Sequence, residues 1–176
     1  VRKYNASGVL DPSWDIVLDD AWGGISAVFL DAAGNCFVMG QQWNVVSGTS
    51  SSDVMIKKFN SNGTADGAWD KVIDFGTYDL GIAIAQDSLG NIYIGGFGTA
   101  IVSGTSNYDW WLKKFDAAGS EITTGWDKSF NLGDRSDQLY SLAVDSWNNV
   151  YAVGMLTTSG NNGNWALKKF ARDGTK

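Results

Sequence analysis

The chain has 176 residues, of which 44% are hydrophobic and 18% charged. These proportions indicate a globular protein and exclude an intrinsically disordered one. The net charge of −6 leaves no basic surface for nucleic acid or for an anionic membrane, so we expect neither as a partner. We also expect no membrane insertion, because no apolar run reaches the roughly 20 residues of a spanning helix.

A repeated pattern organises the whole chain. The pattern Val-Ser-Gly-Thr-Ser-x-x-Asp-x-x-x-Lys-Lys-Phe occurs at 46–59 and again at 102–115. A degenerate third copy ends at Phe170, and a remnant, Arg2-Lys3-Tyr4, opens the chain. The period is about 55 residues, and a fixed period of this size indicates a solenoid, a propeller or an array. The content of glycine and tryptophan, 22 and 9 residues, is typical of an all-β protein.

Each repeat is predicted to form four short strands. In the middle copy these run over 81–85, 91–96 and 109–115, with the fourth beginning at Trp126. The first two strands are small and apolar, which suits burial on both faces, whereas the third and fourth carry the charges, which suits a sheet edge. Turns of the form Asp-x-x-Gly-Asn precede the second strands, and we interpret them as turns because they lack the spaced oxygen ligands of a calcium loop. Asn148 stands in place of this glycine in the last copy, which is compatible with the turn because asparagine tolerates a left-handed backbone conformation.

These turns and strands resemble the bacterial β-propeller repeat family, the SBBP-type repeat, whose typical wording is I-A-V-D-x-x-G-N-V-Y-V-x-G. The chain has IAQDSLGNIYIGG at 84–96 and LAVDSWNNVYAVG at 142–154. The resemblance covers essentially the whole chain. It implies propeller blades and an extracellular or cell-surface bacterial protein, and it brings no catalytic motif.

We therefore expect an all-β propeller of about three four-stranded blades, with incomplete blades at both chain ends. The chain, 1–176, is one array whose predicted blades are 1–20 (partial), 21–75, 76–132 and 133–176 (partial). The start at Val1 and the lack of a signal-peptide pattern lead us to expect a mature product or a fragment.

The mismatched ends predict self-association. Three blades do not easily close a ring, since propellers use about four to eight, and an open arc exposes apolar faces. We expect homo-oligomers, as a closed ring or a head-to-tail filament, or membership of a larger extracellular protein. A lectin-like or adhesin-like propeller that binds a glycan or a surface protein is the alternative.

Candidate ligand-binding residues lie in and beside the loops before the third strands. Their hydroxyl, carboxylate and aromatic groups could bind a sugar by stacking and hydrogen bonding. The candidates are Trp43, Asp53, Tyr108, Asp109, Trp110 and Asn164. The simpler interpretation is a solvated connection in which the aspartate caps the turn.

Nothing in the sequence predicts catalysis, a metal or a cofactor. Histidine is absent, which removes His-based triads and the commonest metal ligand. An acid pair could act as in glycoside hydrolysis, but the acids after the fourth strands recur at equivalent places, which favours turn chemistry: Asp19, Asp20, Asp74, Asp79, Asp134 and Asp137. We therefore expect that the protein is not an enzyme. Cys36, the only cysteine, is predicted to be a small buried side chain.

The repeated tryptophans and lysines have predicted structural roles. Trp14, Trp69 and Trp126 should fill the space between blades, whereas Trp22 and Trp147 break the repeat and should be exposed. Each Lys-Lys pair is predicted to protect a sheet edge against strand addition or to pair with the aspartate of the neighbouring Trp-Asp: Lys57-Lys58, Lys113-Lys114 and Lys168-Lys169.

Overall fold

The structure is a computed structural model that describes residues 1–18, 23–43, 45–46, 51–76, 78–104, 106–160 and 163–176. Of the residues discussed above, Asp19, Asp20, Trp22 and the loop 47–50 lie outside the described residues. Among the described residues, no helix is long and apolar enough to cross a membrane.

The chain is all-β and forms three antiparallel sheets in chain order. The first sheet comprises β1 (Gly24–Leu30), β2 (Cys36–Trp43), β3 (Ser52–Phe59) and β4 (Ala65–Ile73). The second comprises β5 (Asp79–Gln86), β6 (Ile92–Thr99), β7 (Tyr108–Phe115) and β8 (Lys128–Phe130). The third comprises β9 (Gln138–Val144), β10 (Val150–Thr157) and β11 (Gly163–Phe170), and has no fourth strand in the described residues.

Each sheet is a meander whose first two strands are joined by the predicted aspartate turn. In the second sheet the Asp87 carboxylate accepts hydrogen bonds from the amides of Leu89 and Asn91, at 2.9 and 2.8 Å, and from the Tyr93 hydroxyl at 3.0 Å. In the third sheet Asn148 has a φ of 65°, so it takes the left-handed conformation predicted for it. These carboxylates close turns, as the sequence indicated.

A β-bulge recurs at the same place in all three sheets, between the first and second strands. The register shifts at Ile25/Ala27, at Gly81/Ala83 and at Val153/Gly154. A glycine of the second strand lies beside each bulge, at Gly40, Gly96 and Gly154, where a Cβ would collide with a backbone carbonyl of the first strand. The bulge therefore explains why glycine repeats inside otherwise apolar strands.

The amino-terminal segment differs from its prediction. A fourth strand was expected to begin at Trp14, but residues 12–14 form a 3-10 helix (Pro12–Trp14), and Asp11 accepts a hydrogen bond from the Ser13 amide at 3.1 Å. Pro12 has no amide hydrogen for a strand ladder. Residues 1–4 contact this segment through the Tyr4–Leu10 bridge and through the Ile16 amide, which donates to the Val1 carbonyl at 2.9 Å. A local helical turn therefore stands where a fourth strand was expected to begin, and the fourth strand of the second sheet likewise begins after its tryptophan, at Lys128.

Two hydrophobic cores hold the sheets together face to face. The first lies between the first and second sheets and includes Met39, Val54, Ile56, Trp69, Ile92, Ile94 and Trp111. The second lies between the second and third sheets and includes Tyr93, Trp110, Leu112, Trp126, Leu139 and Val150. Trp69 and Trp126 are buried between two sheets, as predicted, whereas Trp14 is buried against the first sheet alone. Trp147 is exposed, as predicted.

Candidate functional site

The aspartates of the predicted binding loops cap those loops. Asp53 and Asp109 begin the third strands of their sheets and are fully buried. Asp53 accepts hydrogen bonds from the Val46 amide and the Ser51 hydroxyl, both at 3.2 Å. Asp109 accepts one from the Val102 amide at 3.1 Å. Both carboxylates therefore hold the preceding loop in place, as in the simpler of the two interpretations.

Trp110 lies inside the second core and faces no solvent. Its indole Nε1 donates to the Met155 carbonyl at 3.3 Å, so the ring bridges the second and third sheets. A ligand would have to displace packed side chains to stack on it. Trp110 was predicted to lie at the surface because it directly follows the loop. However, β7 is covered on both faces. Side chains that alternate between the two faces are therefore buried on either side.

Three other candidates lie nearer the surface but not together in one group. Trp43 is exposed, and its ring lies 6.4 Å from that of Tyr78. Tyr78 in turn lies 5.9 Å from Tyr108, which is half-buried. Asn164 is exposed at the start of β11 in the third sheet. The structure therefore brings Trp43 and Tyr108 together in a row through Tyr78, a residue that the sequence analysis did not select.

The third sheet has an exposed apolar surface. We call it the open face of the third sheet, and it is formed by Tyr140, Val153, Met155, Trp165 and Leu167. These residues line a groove of about 590 Å³. Trp165 is 98% exposed and Leu167 67% exposed, whereas the equivalent Trp110 and Leu112 of the second sheet are 0% exposed. The same strand is thus buried in one repeat and uncovered in the next.

The opposite end of the molecule carries the complementary surface, which is only partly exposed. We call it the outer face of the first sheet, formed by Ile25, Cys36, Val38 and Met55, of which Ile25 is exposed, Met55 is half-buried, and Cys36 and Val38 are buried. Ile25 is 60% exposed, but its equivalent in the third sheet, Leu139, is 0% exposed because it packs in the core that contains Trp110. Cys36 and Val38 are equivalent to Val150 and Ala152 of that same core.

The amino-terminal segment covers part of this outer face. Trp14 packs on Phe59 with ring centroids 6.3 Å apart, and its Nε1 donates to the Ser61 carbonyl at 3.2 Å. Trp126 of the second sheet packs in the same way on Phe170 at 6.0 Å and donates to the Arg172 carbonyl at 3.0 Å. Trp14 therefore packs on the first sheet in the same way as Trp126 of the second sheet packs on the third sheet.

The predicted ion pairs form wherever a fourth strand or its equivalent is present. Lys57 pairs with Asp70 at 2.7 Å, and Lys113 pairs with Asp127 at 3.1 Å and with Glu121 at 2.6 Å. Lys168 of the third sheet has no carboxylate within 4.0 Å among the described residues, and its ammonium lies 5.0 Å from the centroid of the Phe130 ring. Burial lowers the pKa of Lys168.

Burial also raises the pKa of two further groups, Cys36 and Asp79. Cys36 is buried, as predicted, and burial raises the pKa of its thiol. Asp79, at the start of β5, is fully buried, and desolvation raises the pKa of its carboxyl to about 6, with further contributions from the charges of Asp74 and Asp53. Asp79 was predicted to be one of the turn acids that follow the fourth strands, and its burial was not foreseen.

Comparisons with known proteins give a distant structural similarity. No family model matches the chain, and no curated protein matches it. Among solved structures, one that matches is a Bifidobacterium bifidum s17 protein proposed to be an exo-beta-1,3-galactanase, with 15% identity and a TM-score of 0.46. The match covers 84% of this chain and 48% of that protein, so the chain spans about half the length of its structural neighbour.

The prediction that the protein is not an enzyme does not stand. The Bifidobacterium protein is proposed to be a glycosidase, and glycosidases can work with two carboxylates and no histidine. The absence of histidine therefore does not support the exclusion. At this identity and TM-score the similarity assigns neither activity nor substrate to the chain.

Proposed function

We propose that the three sheets are blades of a β-propeller array and that the chain self-associates head to tail. In this assembly the open face of the third sheet of one copy packs on the outer face of the first sheet of another. The observation that carries the proposal is the burial of equivalent residues: Trp110, Leu112 and Leu139 are buried where two sheets meet, and Trp165, Leu167 and Ile25 occupy the same repeat positions at the two ends.

Head-to-tail packing would repeat a junction that the chain already builds. Trp165 of one copy would take the place of Trp110, and Ile25 of the other copy would take the place of Leu139. Burial of large apolar side chains of this kind contributes roughly 2–3 kcal/mol for each residue. The groove beside Trp165 is lined mainly by apolar side chains, and contiguous exposed apolar side chains of this kind are found at interaction sites.

A complementary pair of variants tests the proposal. The parent should show a mass above 18.9 kDa that grows with concentration in light scattering after gel filtration. Trp165→Ser and Ile25→Ser should each be monomeric alone. Mixed together they should form a discrete dimer, because the mixture retains one intact copy of each surface.

Trp147→Ser is the matched control, since Trp147 is exposed on the turn between β9 and β10 and lines neither the groove of the open face nor that of the outer face. It should associate as the parent does. A parent that stays monomeric over the whole concentration range, or a mixture that stays monomeric while each variant is folded, would refute head-to-tail association. A discrete final mass indicates a closed ring and a continuously growing mass indicates a filament.

A second candidate function is glycan binding along the aromatic row of Trp43, Tyr78 and Tyr108. The favouring observation is that three rings follow one another at 6.4 and 5.9 Å, and flat aromatic surfaces of this kind stack on sugar rings. Tryptophan fluorescence titrated with oligosaccharides should show saturable binding that Trp43→Ala abolishes and Trp147→Ala retains. Equal binding by both variants would exclude this row.

A further inference from the structure

Three carboxylates meet at the edge where the first and second sheets join. They belong to Asp53 at the start of β3, Asp74 in the loop after β4, and Asp79 at the start of β5. One oxygen from each lies within 4.8 Å of the others. Asp53 and Asp79 are fully buried and Asp74 is exposed. Among the described residues, no lysine or arginine forms a salt bridge with any of the three.

The buried Asp79 carboxylate is only partly satisfied. Its Oδ2 accepts a hydrogen bond from the Phe75 amide at 2.8 Å, but its Oδ1 is buried and has no hydrogen-bond partner among the described residues. A buried carboxylate normally has partners for both oxygens or binds a cation. The unpartnered oxygen is therefore an observation independent of the clustering of acids.

The junction of the second and third sheets shows what a satisfied carboxylate looks like at this position. Asp137, the equivalent of Asp79, accepts hydrogen bonds from the amides of Leu132, Gly133 and Thr157 at 2.6, 3.0 and 3.0 Å. In the second sheet the equivalent of the Thr157 amide belongs to Thr99, which donates to the Tyr78 carbonyl at 3.0 Å. Asp79 thus lacks a donor that Asp137 has.

The third acid is also specific to the first junction. Asp74 is replaced at the second junction by Asn131, so the equivalent group there is Asp109, Asn131 and Asp137. In the first junction Asp74 Oδ1 accepts the Gly76 amide at 2.6 Å, which fixes the loop beside Asp79. One junction therefore has a third acid where the other has a neutral amide, and it is the junction in which Asp79, unlike its equivalent Asp137, has an oxygen without a hydrogen-bond partner in the described part of the chain.

Glycine makes room for this group. Gly98 faces Asp79 across the β5–β6 ladder, and a Cβ at this position would collide with Asp79 Oδ1. The equivalent residue in the third sheet is Leu156. The lack of a side chain at Gly98 thus allows the Asp79 carboxylate to lie against the backbone of β6.

We propose that Asp53, Asp74 and Asp79 bind one calcium ion that fastens the first sheet to the second. The donors are carboxylate oxygens, which hard divalent cations prefer, and none of the three residues is a histidine or cysteine that would favour zinc or copper. Calcium suits the site better than magnesium because it accepts irregular geometry, and water can complete its shell of six to eight oxygens. The ion links an acid of each sheet to the loop between them.

Calcium titration of the full chain tests this site. The protein is stripped with a chelator, dialysed, and titrated with calcium chloride by calorimetry and by thermal unfolding. The parent should bind one calcium per chain. Its Tm should rise by about 5–10 °C when free calcium is about 100 times Kd, and magnesium should produce a smaller rise.

Asp74→Asn is the main variant because it recreates Asn131 of the second junction at an exposed position. It should fold and lose the calcium response, and Asp79→Asn should lose it as well. Asp134→Asn removes an exposed acid near the second junction and should keep the full response. All variants are compared in the Trp165→Ser background, so that association does not contribute to the Tm.

Two results would overturn the proposal. The first is a parent whose heat of titration and Tm do not change with calcium. The second is an Asp74→Asn variant that binds calcium as tightly as the parent, since the ion would then lie elsewhere. Neither result depends on whether the chain self-associates.

Discussion

The second and third sheets are built from the same repeat, but the second is covered on both faces and the third on only one. Their third strands carry Trp110 and Leu112 in one case and Trp165 and Leu167 in the other, at equivalent positions and in the same backbone conformation. The first pair is buried and the second pair exposed. The sequence of a repeat thus determines which of its faces is apolar. Whether that face is buried depends on the presence of a neighbouring sheet that packs on it.

The largest expected difference in stability is between the alanine variants of the two tryptophans, Trp110 and Trp165. Trp110→Ala should cost about 3–5 kcal/mol of stability, because it leaves a cavity in the second core and removes the bond to Met155. Trp165→Ala should cost less than about 0.5 kcal/mol in the dilute monomer, because its side chain touches little. Urea unfolding at low protein concentration measures both, and similar costs for the two variants would show that their environments do not differ.

A smaller difference in stability is expected between variants of Asp79 in the second sheet and variants of Asp137 at the edge of the third. The pKa of Asp79 is raised to about 6 from 3.8, so the folded chain holds this proton more tightly than the unfolded chain. This stabilisation is complete below about pH 4 and is lost as the pH rises through 6. In chelator at pH 7, Asp79→Asn should therefore stabilise the protein by about 2 kcal/mol.

Asp137→Asn should instead destabilise the protein by about 1–3 kcal/mol, because Asp137 accepts three backbone amides that an amide side chain cannot all satisfy. Tm measured from pH 4 to 7 in chelator checks both variants. The comparison fails if Asp79→Asn follows the same pH profile as the parent or if the two substitutions have the same sign.

The repeat pattern predicts the strands, the aspartate turns and the inter-sheet tryptophans because these depend on local sequence. Asn148 is an example, since its left-handed φ follows from its place in the turn. The repeat pattern does not predict that residues 12–14 form a helical turn, because Pro12 has no equivalent proline in the other repeats. It also does not separate Trp110 from Trp165, because burial at that position depends on whether a neighbouring sheet covers it.

The candidate sites depend more on tertiary structure than the strands do. Asp53 and Asp109 were selected for their repeated position, and both are buried loop caps. The burial of Asp79 has only a weak signal in the sequence. Asp74 stands where another repeat has Asn131, and Gly98 stands where another repeat has Leu156. Its significance depends on an unpartnered oxygen, which only the packed structure reveals.

The single thiol of the chain lies beneath the amino-terminal segment. Cys36 is buried in a small cluster with Trp14, Val38 and Phe59. A thiol reagent can reach it only when that segment lifts or the first sheet opens. The rate of Cys36 labelling therefore reports on local opening at one end of the molecule, separately from global unfolding, and any covalent dimer formed through it comes from an opened chain.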